Sequence, residues 1–451
     1  MSGEQEASAF LAAHPQIEAI ELLITDPGGI ARGKIVAREE LAALYRDGRC
    51  VAGSILGLDI TGEDVEATGL VWSVGDADRL CRPVPGTLQP ALWSARPSAQ
   101  VLLTMFDMDG QPTSADPRHV LSAEIARLAR LNVQPVMAAE IEFYLLARDP
   151  QGALVPAAGL LSGRRPTRLD SYGLGKLEDM APLFADIYAA ARAQELPLRT
   201  LMSEYAPGQY EITLLHRADA LRAMDDAILF KRLVRGVALK HGLIACFMAK
   251  PFVEHAGSGM HLHVSLANDQ GTNLFASDDP AGSPLLKSAL GGLQRSMAES
   301  MLVFAPNANS YRRFRRQSYA PVAPTWGINN RSVSLRIPAG DATSRHIEHR
   351  VCGADANPYL AATVVLAGVR LGIERKLEAG PPTTGNGYAA ATEAVLPRDW
   401  HTAIEAAADS AFLRDALGES FLQTFLAIKR QEWDKFNALV TQADYDWYAE
   451  V

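Results

Sequence analysis

The chain has 451 residues, of which 48% are hydrophobic and 21% are charged, and its formal net charge is −9. This length is sufficient for two or three domains with large buried cores, and the composition excludes a disordered or fibrous protein. The negative charge and the lack of basic, aromatic-rich stretches argue against nucleic acid as a main partner.

The four cysteines are scattered along the chain, at Cys50, Cys81, Cys246 and Cys352. None of them belongs to a CxxC pair or to the close spacing of a small secreted domain, so neither a zinc finger nor a disulfide framework is expected. The first residues lack the basic start of a secretory signal, and no uncharged run reaches the ~18 residues that a membrane span needs. We therefore expect a cytoplasmic protein without a membrane partner.

The N-terminal part has the pattern of a small mixed β domain. The predicted elements are a helix over 4–14 and strands over 19–25, 30–36 and 101–106. The turn Asp26-Pro-Gly-Gly29 joins the first two strands, since proline fixes one backbone angle and glycine supplies the positive one. Residues 107–114 are rich in turn formers. They mark the boundary between a predicted domain over 1–110 and a second domain over 111–451.

Helices alternate with strands in the second domain. Asp116 followed by Pro117 is the pattern of an N-cap with proline at the first helical position, which predicts a helix to about residue 131. Further helices are predicted over 177–194, 221–240 and 357–377. Residues 379–388 contain several glycines and prolines, and they predict a break before a helical C-terminal part.

Three pairs of ionisable residues are spaced two apart in predicted strands: Glu140 and Glu142, His261 and His263, and Glu348 and Arg350. Because side chains alternate across a strand, both members of a pair point to the same side. Paired carboxylates on an apolar strand repel each other and lose hydration, which costs several kcal/mol per ion unless a cation compensates. One such pair would be typical of a solvated face or a structural ion pair, whereas three together favour a divalent metal site.

The motifs of the chain, taken in order, resemble those of the glutamine synthetase superfamily, and within it those of the γ-glutamylpolyamine (γ-glutamylputrescine) synthetases. The matching segments are 23–34, 203–211, 254–263, 309–313, 326–332 and 355–359, so nearly the whole chain is covered. The resemblance implies an α+β fold, with an N-terminal β-grasp domain and a large catalytic domain built on a curved antiparallel sheet with surrounding helices. It also implies a homo-dodecamer of two hexameric rings, in which one subunit completes the active site of its neighbour.

Carried over by position, the resemblance implies two sites for Mg²⁺ or Mn²⁺. One ion is expected at Glu142, Glu204 and Glu211, and the other at Glu140, His261 and Glu348. Five carboxylates and one imidazole suit these hard cations better than zinc. Pro207 and Gly208 can turn the chain between Glu204 and Glu211 so that the two carboxylates meet.

The same resemblance implies sites for ATP and L-glutamate. The residues expected to contact ATP are His263, Ser265 and Arg336, those expected to bind substrate are Arg313, Arg350 and Gly257, and Arg331 is expected to be catalytic. Guanidinium groups bind carboxylates and phosphates in a bidentate manner, which suits a site where negative charge moves between oxygens. Arg331 and Arg336 are five apart, so either the strand bends near Arg331 or only one of the two lines the site.

The implied reaction is ATP-dependent ligation of the γ-carboxylate of glutamate to an amine through γ-glutamyl phosphate. In the ammonium-using enzymes an Asp-Gly-Ser-Ser motif and a flap glutamate serve the ammonium, and here they fall on Leu56–Gly62, with Asp59, and on Tyr319. These departures favour an organic amine, most of all putrescine or another polyamine. Such an amine has a pKa of roughly 10 and must lose a proton, for which Asp59 is the candidate acceptor.

Several alternatives remain open at the level of sequence. The acidic residues Glu63, Asp64 and Glu66 could receive the second ammonium of a diamine or form a solvated loop. The amine could instead be ethanolamine or a monoamine, or the enzyme could use ammonium as a glutamine synthetase does. A noncatalytic structural or regulatory homologue is disfavoured because all six predicted metal ligands and four arginines are present. The preferred amine, the ring size and feedback regulation are not determined by the sequence.

Overall fold

The computed structural model describes residues 3–389 and 396–451. The N-terminal part of the chain forms a mixed β-sheet with two helices. The N-terminal elements are α1 (Gly3–Ala13), β1 (Ala19–Thr25), β2 (Ala31–Ala37), α2 (Leu41–Asp47), β3 (Arg49–Ala52), β4 (Asp78–Pro83), β5 (Gln89–Pro90) and β6 (Ser98–Phe106). Their strands are ordered β2-β1-β6-β4-β3, and β5 also pairs with β6. β1 and β6 run parallel, whereas the other neighbours are antiparallel.

The predicted turn between β1 and β2 is present. Gly29 has a φ of +79°, which glycine adopts without a steric penalty. Its N–H donates to the carbonyl of Asp26 over 2.9 Å, and the Asp26 carboxylate accepts the N–H of Ile30 over 2.8 Å. The turn is therefore held by both the backbone and a side chain.

The larger part of the chain contains a second sheet and most of the helices. Its elements are α3 (Pro117–Ala129), β7 (Gln134–Arg148), β8 (Leu154–Pro156), α4 (Leu174–Asp179), α5 (Ala181–Ala193), β9 (Leu198–Ser203), β10 (Gln209–Leu214), α6 (Ala220–Lys240), β11 (Ile244–Cys246), β12 (Met260–Ala267), α7 (Pro284–Ser296), α8 (Met301–Phe304), β13 (Trp326–Ile328), β14 (Leu335–Ile337), β15 (Ile347–His349), α9 (Pro358–Arg375), α10 (Trp400–Asp409), α11 (Ala411–Leu417), α12 (Glu419–Asn437) and α13 (Gln442–Tyr448). The predicted break over 379–388 contains no helix.

The second sheet is the frame on which the predicted site residues lie. Its strands are ordered β13-β14-β15-β12-β7-β10-β9, with β8 and β11 paired to the far end of β7. One face is apolar: Ile141, Phe143 and Leu262 are fully buried in the main hydrophobic cluster. The ring of Phe143 lies 6.4 Å from that of Phe230 on α6, so the helices cover this face and leave the other one for polar side chains.

The expected α+β fold is confirmed, with two local differences. The predicted helix over 177–194 is wrong as a single element, because α4 and α5 are separated at Met180. Pro182 has no N–H to donate to residue 178, and its ring would clash with that carbonyl, so the helix restarts here. In addition, β13 and β14 pair in parallel within the otherwise antiparallel sheet.

The two sheets share apolar packing. Leu23, Val84 and Leu102 from the first sheet lie in the same hydrophobic cluster as the core of the second. Because one hydrophobic cluster spans both sheets, the packing does not mark a boundary between residues 1–110 and 111–451. That boundary stays a prediction, and so does the β-grasp assignment of the first sheet. Within the described part of the chain, no helix is both long and apolar enough to cross a membrane.

Asp116 connects the last strand of the first sheet to α3. Its carboxylate caps the helix by accepting the N–H of Arg118 over 2.9 Å. It also accepts the hydroxyl of Thr104 over 2.8 Å and the N–H of Met105 over 2.9 Å. The side chain is buried, so these donors have no ready replacement in water.

We expect Asp116→Ala to lower the free energy of unfolding by about 3 kcal/mol, because a cap is lost and two donors near the core lose their acceptor. The matched control is Asp399→Ala, which removes the exposed cap of α10, where the carboxylate accepts from the N–H of Thr402 over 2.8 Å. That substitution should lower the free energy of unfolding by only about 1 kcal/mol. Urea unfolding of both variants measures the difference, and equal losses would contradict it.

Candidate functional site

Ionisable residues occupy one face of five adjacent strands, β10, β7, β12, β15 and β14. The residues that lie directly opposite each other in the register are Glu211 and Glu142, His261 and Glu140, His263 and Glu348, and Arg336 and Glu348. Opposite residues on neighbouring strands point to the same face. The spacing of two seen in the sequence thus becomes a continuous polar row on the uncovered face of the sheet.

The first cluster in this row consists of Glu140, His261 and Glu348. His261 Nδ1 lies 2.8 Å from Glu140 Oε1 and 3.7 Å from Glu348 Oε1. One ligand atom from each of the three residues lies within 4.8 Å of the others, so the group could hold an ion. Burial, together with the charge of Arg350, lowers the pKa of His261 to about 4, so the imidazole is in the neutral, metal-binding form at pH 7.

The second cluster contains carboxylates that repel one another. Glu142 and Glu211 face each other across β7 and β10, and each offers an oxygen within 4.8 Å of His261. Burial, and next the charge of Glu204, raises the pKa of Glu142 to about 8. Burial and the neighbouring glutamates also raise the pKa of Glu211 well above its ordinary value. Within residues 3–389 and 396–451, no lysine or arginine forms an ion pair with Glu142, Glu204 or Glu211.

The raised pKa values are what buried oxygen ligands show when no cation neutralises them. The donor set of both clusters, carboxylates with one imidazole, fits Mg²⁺ or Mn²⁺. Glu204 lies near enough to raise the pKa of Glu142, although its own carboxylate accepts the N–H of Tyr205 over 3.1 Å. All six predicted ligands therefore meet in one region.

The chain turns sharply between Glu204 and Glu211. Gly208 has a φ of +74°, and the N–H of Glu204 donates to the carbonyl of Gln209 over 2.9 Å. This is the turn expected at Pro207 and Gly208. It allows two carboxylates seven residues apart to approach the same pair of strands.

Arg313 lies buried beneath the glycine-rich segment that precedes β12. Its guanidinium donates to the carbonyl of Val351 over 2.8 Å. A Cβ on Gly257 would lie 2.5 Å from the carbonyl oxygen of Ala249 and 2.8 Å from Arg313 Cγ. A Cβ on Gly259 would lie 2.6 Å from Arg313 Nη2. A side chain at Gly257 would clash with the backbone of Ala249 and with Arg313, and one at Gly259 would displace the guanidinium of Arg313.

Two of the predicted arginines are paired with Glu348. Arg336 Nη1 donates to Glu348 Oε2 over 2.7 Å, and Arg350 Nη1 donates to the other oxygen. Burial opposes ionisation of Glu348, but the charge of Arg350 together with His261 and His263 outweighs it, and the net effect lowers the pKa to about 2. The Nε atoms of both arginines are buried and have no hydrogen-bond partner among the described residues.

Arg331 lies in the loop between the parallel strands β13 and β14, and its side chain is exposed. The loop passes through Asn329, which has a φ of +47°. It provides the bend that the spacing between Arg331 and Arg336 requires. Burial raises the pKa of Glu204, and the charge of Arg331 counteracts this rise, which places the guanidinium close to the carboxylate cluster.

His263 and Ser265 follow His261 on the same face of β12. His263 is buried and its Nδ1 lies 3.1 Å from His346 Nε2. Its other nitrogen, Nε2, lies 3.6 Å from Glu140 Oε2. Ser265 is half-buried opposite Val136. These two residues therefore extend the row beyond the first cluster.

Asp59 has a different environment from the other predicted site residues. It is buried in a loop against α12, where its carboxylate accepts from Thr61, from the N–H of Glu63 over 3.1 Å and from Gln431 over 3.1 Å. It also pairs with Lys435. Burial raises its pKa, but the hydrogen bonds from Lys435 and Thr61 outweigh that effect and lower it. Within one chain Asp59 anchors a loop, and its assignment to the amine stays a prediction.

Four residues of the site were not singled out from the sequence: Gln209, His216, Gly259 and His346. Gln209 donates to the carbonyl of Gly257 over 3.0 Å, and Gly259 N–H donates to Glu142 Oε2 over 2.8 Å. Both residues lie inside segments that resemble the glutamine synthetase superfamily, 203–211 and 254–263. Their place in these segments was the signal that the sequence offered. His216 had no such signal, because only the turn after β10 brings it near His263.

The chain was compared with known proteins. A family model described as "Glutamine synthetase, catalytic domain" matches residues 114–448. A γ-glutamylputrescine synthetase from Escherichia coli (strain K12) is 40% identical over 446 residues, which cover 98% of this chain and 94% of that relative. A glutamate–isopropylamine ligase from Pseudomonas sp is 31% identical, over 98% of this chain and 97% of that relative.

A solved structure gives the same picture at the level of the fold. A GmaS/ADP complex superposes with a TM-score of 0.86 at 27% sequence identity, and the match covers 99% of each chain. Both sheets therefore lie within the part of the chain that is matched.

We expect Glu142→Gln to stabilise the metal-free protein at pH 8 by about 1–3 kcal/mol. The pKa of Glu142 is raised from 4.5 to about 8 in the folded state. The folded chain therefore binds more protons than the unfolded one between these values, and its stability falls as the pH rises through them. Thermal unfolding in a chelator, from pH 5 to pH 8, measures this fall and its reduction in the variant.

The same variant should respond less to added cation. Mn²⁺ should raise the melting temperature of the wild type more at pH 8 than at pH 6, because binding displaces protons, and it should raise that of Glu142→Gln much less. The control is Glu39→Gln, which removes an exposed carboxylate outside the polar row. Its melting temperature should respond to Mn²⁺ as that of the wild type does. An equal response of Glu142→Gln would argue against the ligand role.

Proposed function

The chain belongs to the glutamine synthetase family and is an ATP-dependent glutamate–amine ligase, and we propose that its amine is putrescine or another polyamine. The row of buried carboxylates flanked by arginines supports the ligase chemistry, because it offers cation ligands beside donors for phosphate and carboxylate groups. The greater similarity to the relative named for γ-glutamylputrescine than to the one named for isopropylamine supports the choice of amine.

Activation of the glutamate is the first chemical requirement. A carboxylate has no usable leaving group at neutral pH, so we propose that the γ-phosphoryl group of ATP is transferred to it and that the amine then displaces phosphate from γ-glutamyl phosphate. The first cluster, Glu140, His261 and Glu348, would hold one ion. The second cluster, Glu142 and Glu211 with Glu204, would hold the other. Bound divalent ions would neutralise the negative charge on the phosphates and the reacting carboxylate.

The arginines supply the remaining electrostatic stabilisation. Arg313 and Arg350 bind the carboxylates of glutamate, while Arg331 and Arg336 stabilise the charge that develops on the phosphoryl group. The position of Arg336 and Arg350 beside Glu348, in the polar row, supports these roles. His263 and Ser265, at the end of the row, contact ATP.

The amine site is completed by a neighbouring subunit in this proposal. Asp59 would act across the interface in a dodecamer of two hexameric rings. Its lowered pKa makes it a weak proton acceptor. In the single chain the carboxylate is buried and paired with Lys435, so contact with the ammonium group would require the interface to expose it. Tyr319, at the position of the flap glutamate, is 61% exposed and leaves room for an alkyl chain.

The amine assignment is tested with ammonium, putrescine, spermidine, ethanolamine and isopropylamine under ATP and glutamate saturation. We expect putrescine or spermidine to have a kcat/KM at least about ten-fold above that of ammonium, because a longer amine gains contacts that ammonium cannot make. Phosphate release measures turnover, and mass spectrometry identifies the γ-glutamyl amide. Equal or better turnover with ammonium would sink the assignment, and a preference for ethanolamine or isopropylamine would replace the polyamine with that substrate class.

Arg331 provides the test of the phosphoryl-transfer step. We expect Arg331→Ala to lower kcat by about 100-fold or more with a smaller change in KM for ATP, because its charge acts on the transition state. Arg312→Ala is the matched control, since Arg312 is an exposed arginine next to Arg313. It should keep kcat within about two-fold, as surface substitutions usually do. Near-normal turnover of Arg331→Ala would remove this residue from the mechanism.

A further inference from the structure

Three histidines lie together beside the carboxylate row. His216 follows β10, His263 lies on β12, and His346 directly precedes β15. The ring centroid of His216 is 5.6 Å from that of His263 and 5.2 Å from that of His346. One nitrogen from each residue lies within 4.8 Å of the others. The cluster is separate in composition from the carboxylate clusters, because all three of its candidate ligands are imidazoles.

The hydrogen bonds determine which nitrogens face inward. His346 Nδ1 lies 2.8 Å from the carbonyl oxygen of Ser344. A carbonyl only accepts, so Nδ1 carries the hydrogen and Nε2 presents a lone pair. That Nε2 lies 3.1 Å from His263 Nδ1. His263 is buried, and its Nε2 has no hydrogen-bond partner among the described residues.

This arrangement matches the surroundings of a histidine metal site. A ligating histidine usually donates its second N–H to a carbonyl or a carboxylate, which fixes the ring. His346 has the carbonyl of Ser344 in this role, whereas His263 Nε2 faces the Glu140 carboxylate from 3.6 Å, just beyond hydrogen-bond distance. The two inward nitrogens are 3.1 Å apart, close to the about 3.3 Å between ligands that a tetrahedral ion with bonds of 2.0–2.1 Å requires.

We propose that His216, His263 and His346 form a binding site for a borderline divalent cation of the Zn²⁺ class, distinct from the two carboxylate clusters. Imidazole ligands select Zn²⁺, Co²⁺ or Ni²⁺, whereas Mg²⁺ prefers the carboxylates. His216 is exposed, so its ring can turn to complete the set. Three protein ligands leave a fourth position of a tetrahedral ion open to water.

The test uses the full-length protein, freed of metal with a chelator and then saturated with Mg²⁺ so that the carboxylate clusters are filled. Zn²⁺ is titrated by calorimetry, and Co²⁺ is followed by its visible absorption, which reports tetrahedral coordination. We expect one tight Zn²⁺ per chain in the wild type. His216→Asn and His346→Asn should each weaken that binding by roughly 10- to 100-fold or more, since the loss of a ligand is at least as severe as the loss of an outer-shell partner.

The control is His401→Asn, which removes an exposed histidine outside the cluster and should leave the affinity unchanged. Unchanged Zn²⁺ affinity in both cluster variants would overturn the proposal, as would displacement of the ion by a further excess of Mg²⁺. A variant whose melting temperature without Zn²⁺ equals that of the wild type is still folded, so its weaker binding reflects the lost ligand. Two variants are used so that the test can still be read if one of them misfolds. The readout is binding alone, so it holds whether or not the ligase proposal fails.

Discussion

The burial of like charges on one face of the second sheet is the constraint on which the rest of the structure depends. Glu142 and Glu211 face each other on adjacent strands with apolar neighbours, where no lysine or arginine among the described residues forms an ion pair with either carboxylate. Such an arrangement is unfavourable by itself, and it persists because the opposite face of the sheet is held by a large apolar core under the helices. The core thus provides the stability that the polar face lacks.

Charge is distributed unevenly along the polar row. At one end, burial raises the pKa of Glu348, but the charge of Arg350 together with the neighbouring histidines outweighs burial and lowers the pKa to about 2. At the other end, burial and then Glu204 raise the pKa of Glu142 to about 8. The first carboxylate is therefore charged at any physiological pH, whereas the second becomes charged only when a proton leaves or a cation arrives. The same sheet therefore has one carboxylate that is always charged and another whose charge depends on pH and on a bound cation.

The sequence predicted the parts of the structure that follow from local rules. The spacing of two placed the ionisable pairs on one face, and the Asp116-Pro117 pattern located the start of α3. The break at Pro182 was missed, because amphipathic spacing continues across it. The contacts of Asp59 with α12 and of His216 with His263 join residues far apart in the chain, and no local pattern encodes them. The grouping of Glu204 with Glu211 came from family resemblance rather than from spacing.

The strand register restricts how this protein can change over evolution. Because Glu140 and Glu142 alternate with core residues along β7, a one-residue shift in the register of this strand would turn them into the core and Ile141 outward. Insertions and deletions can then accumulate only in the loops at the strand ends. Descendants of this chain can alter those loops far more freely than the lengths of the strands between them.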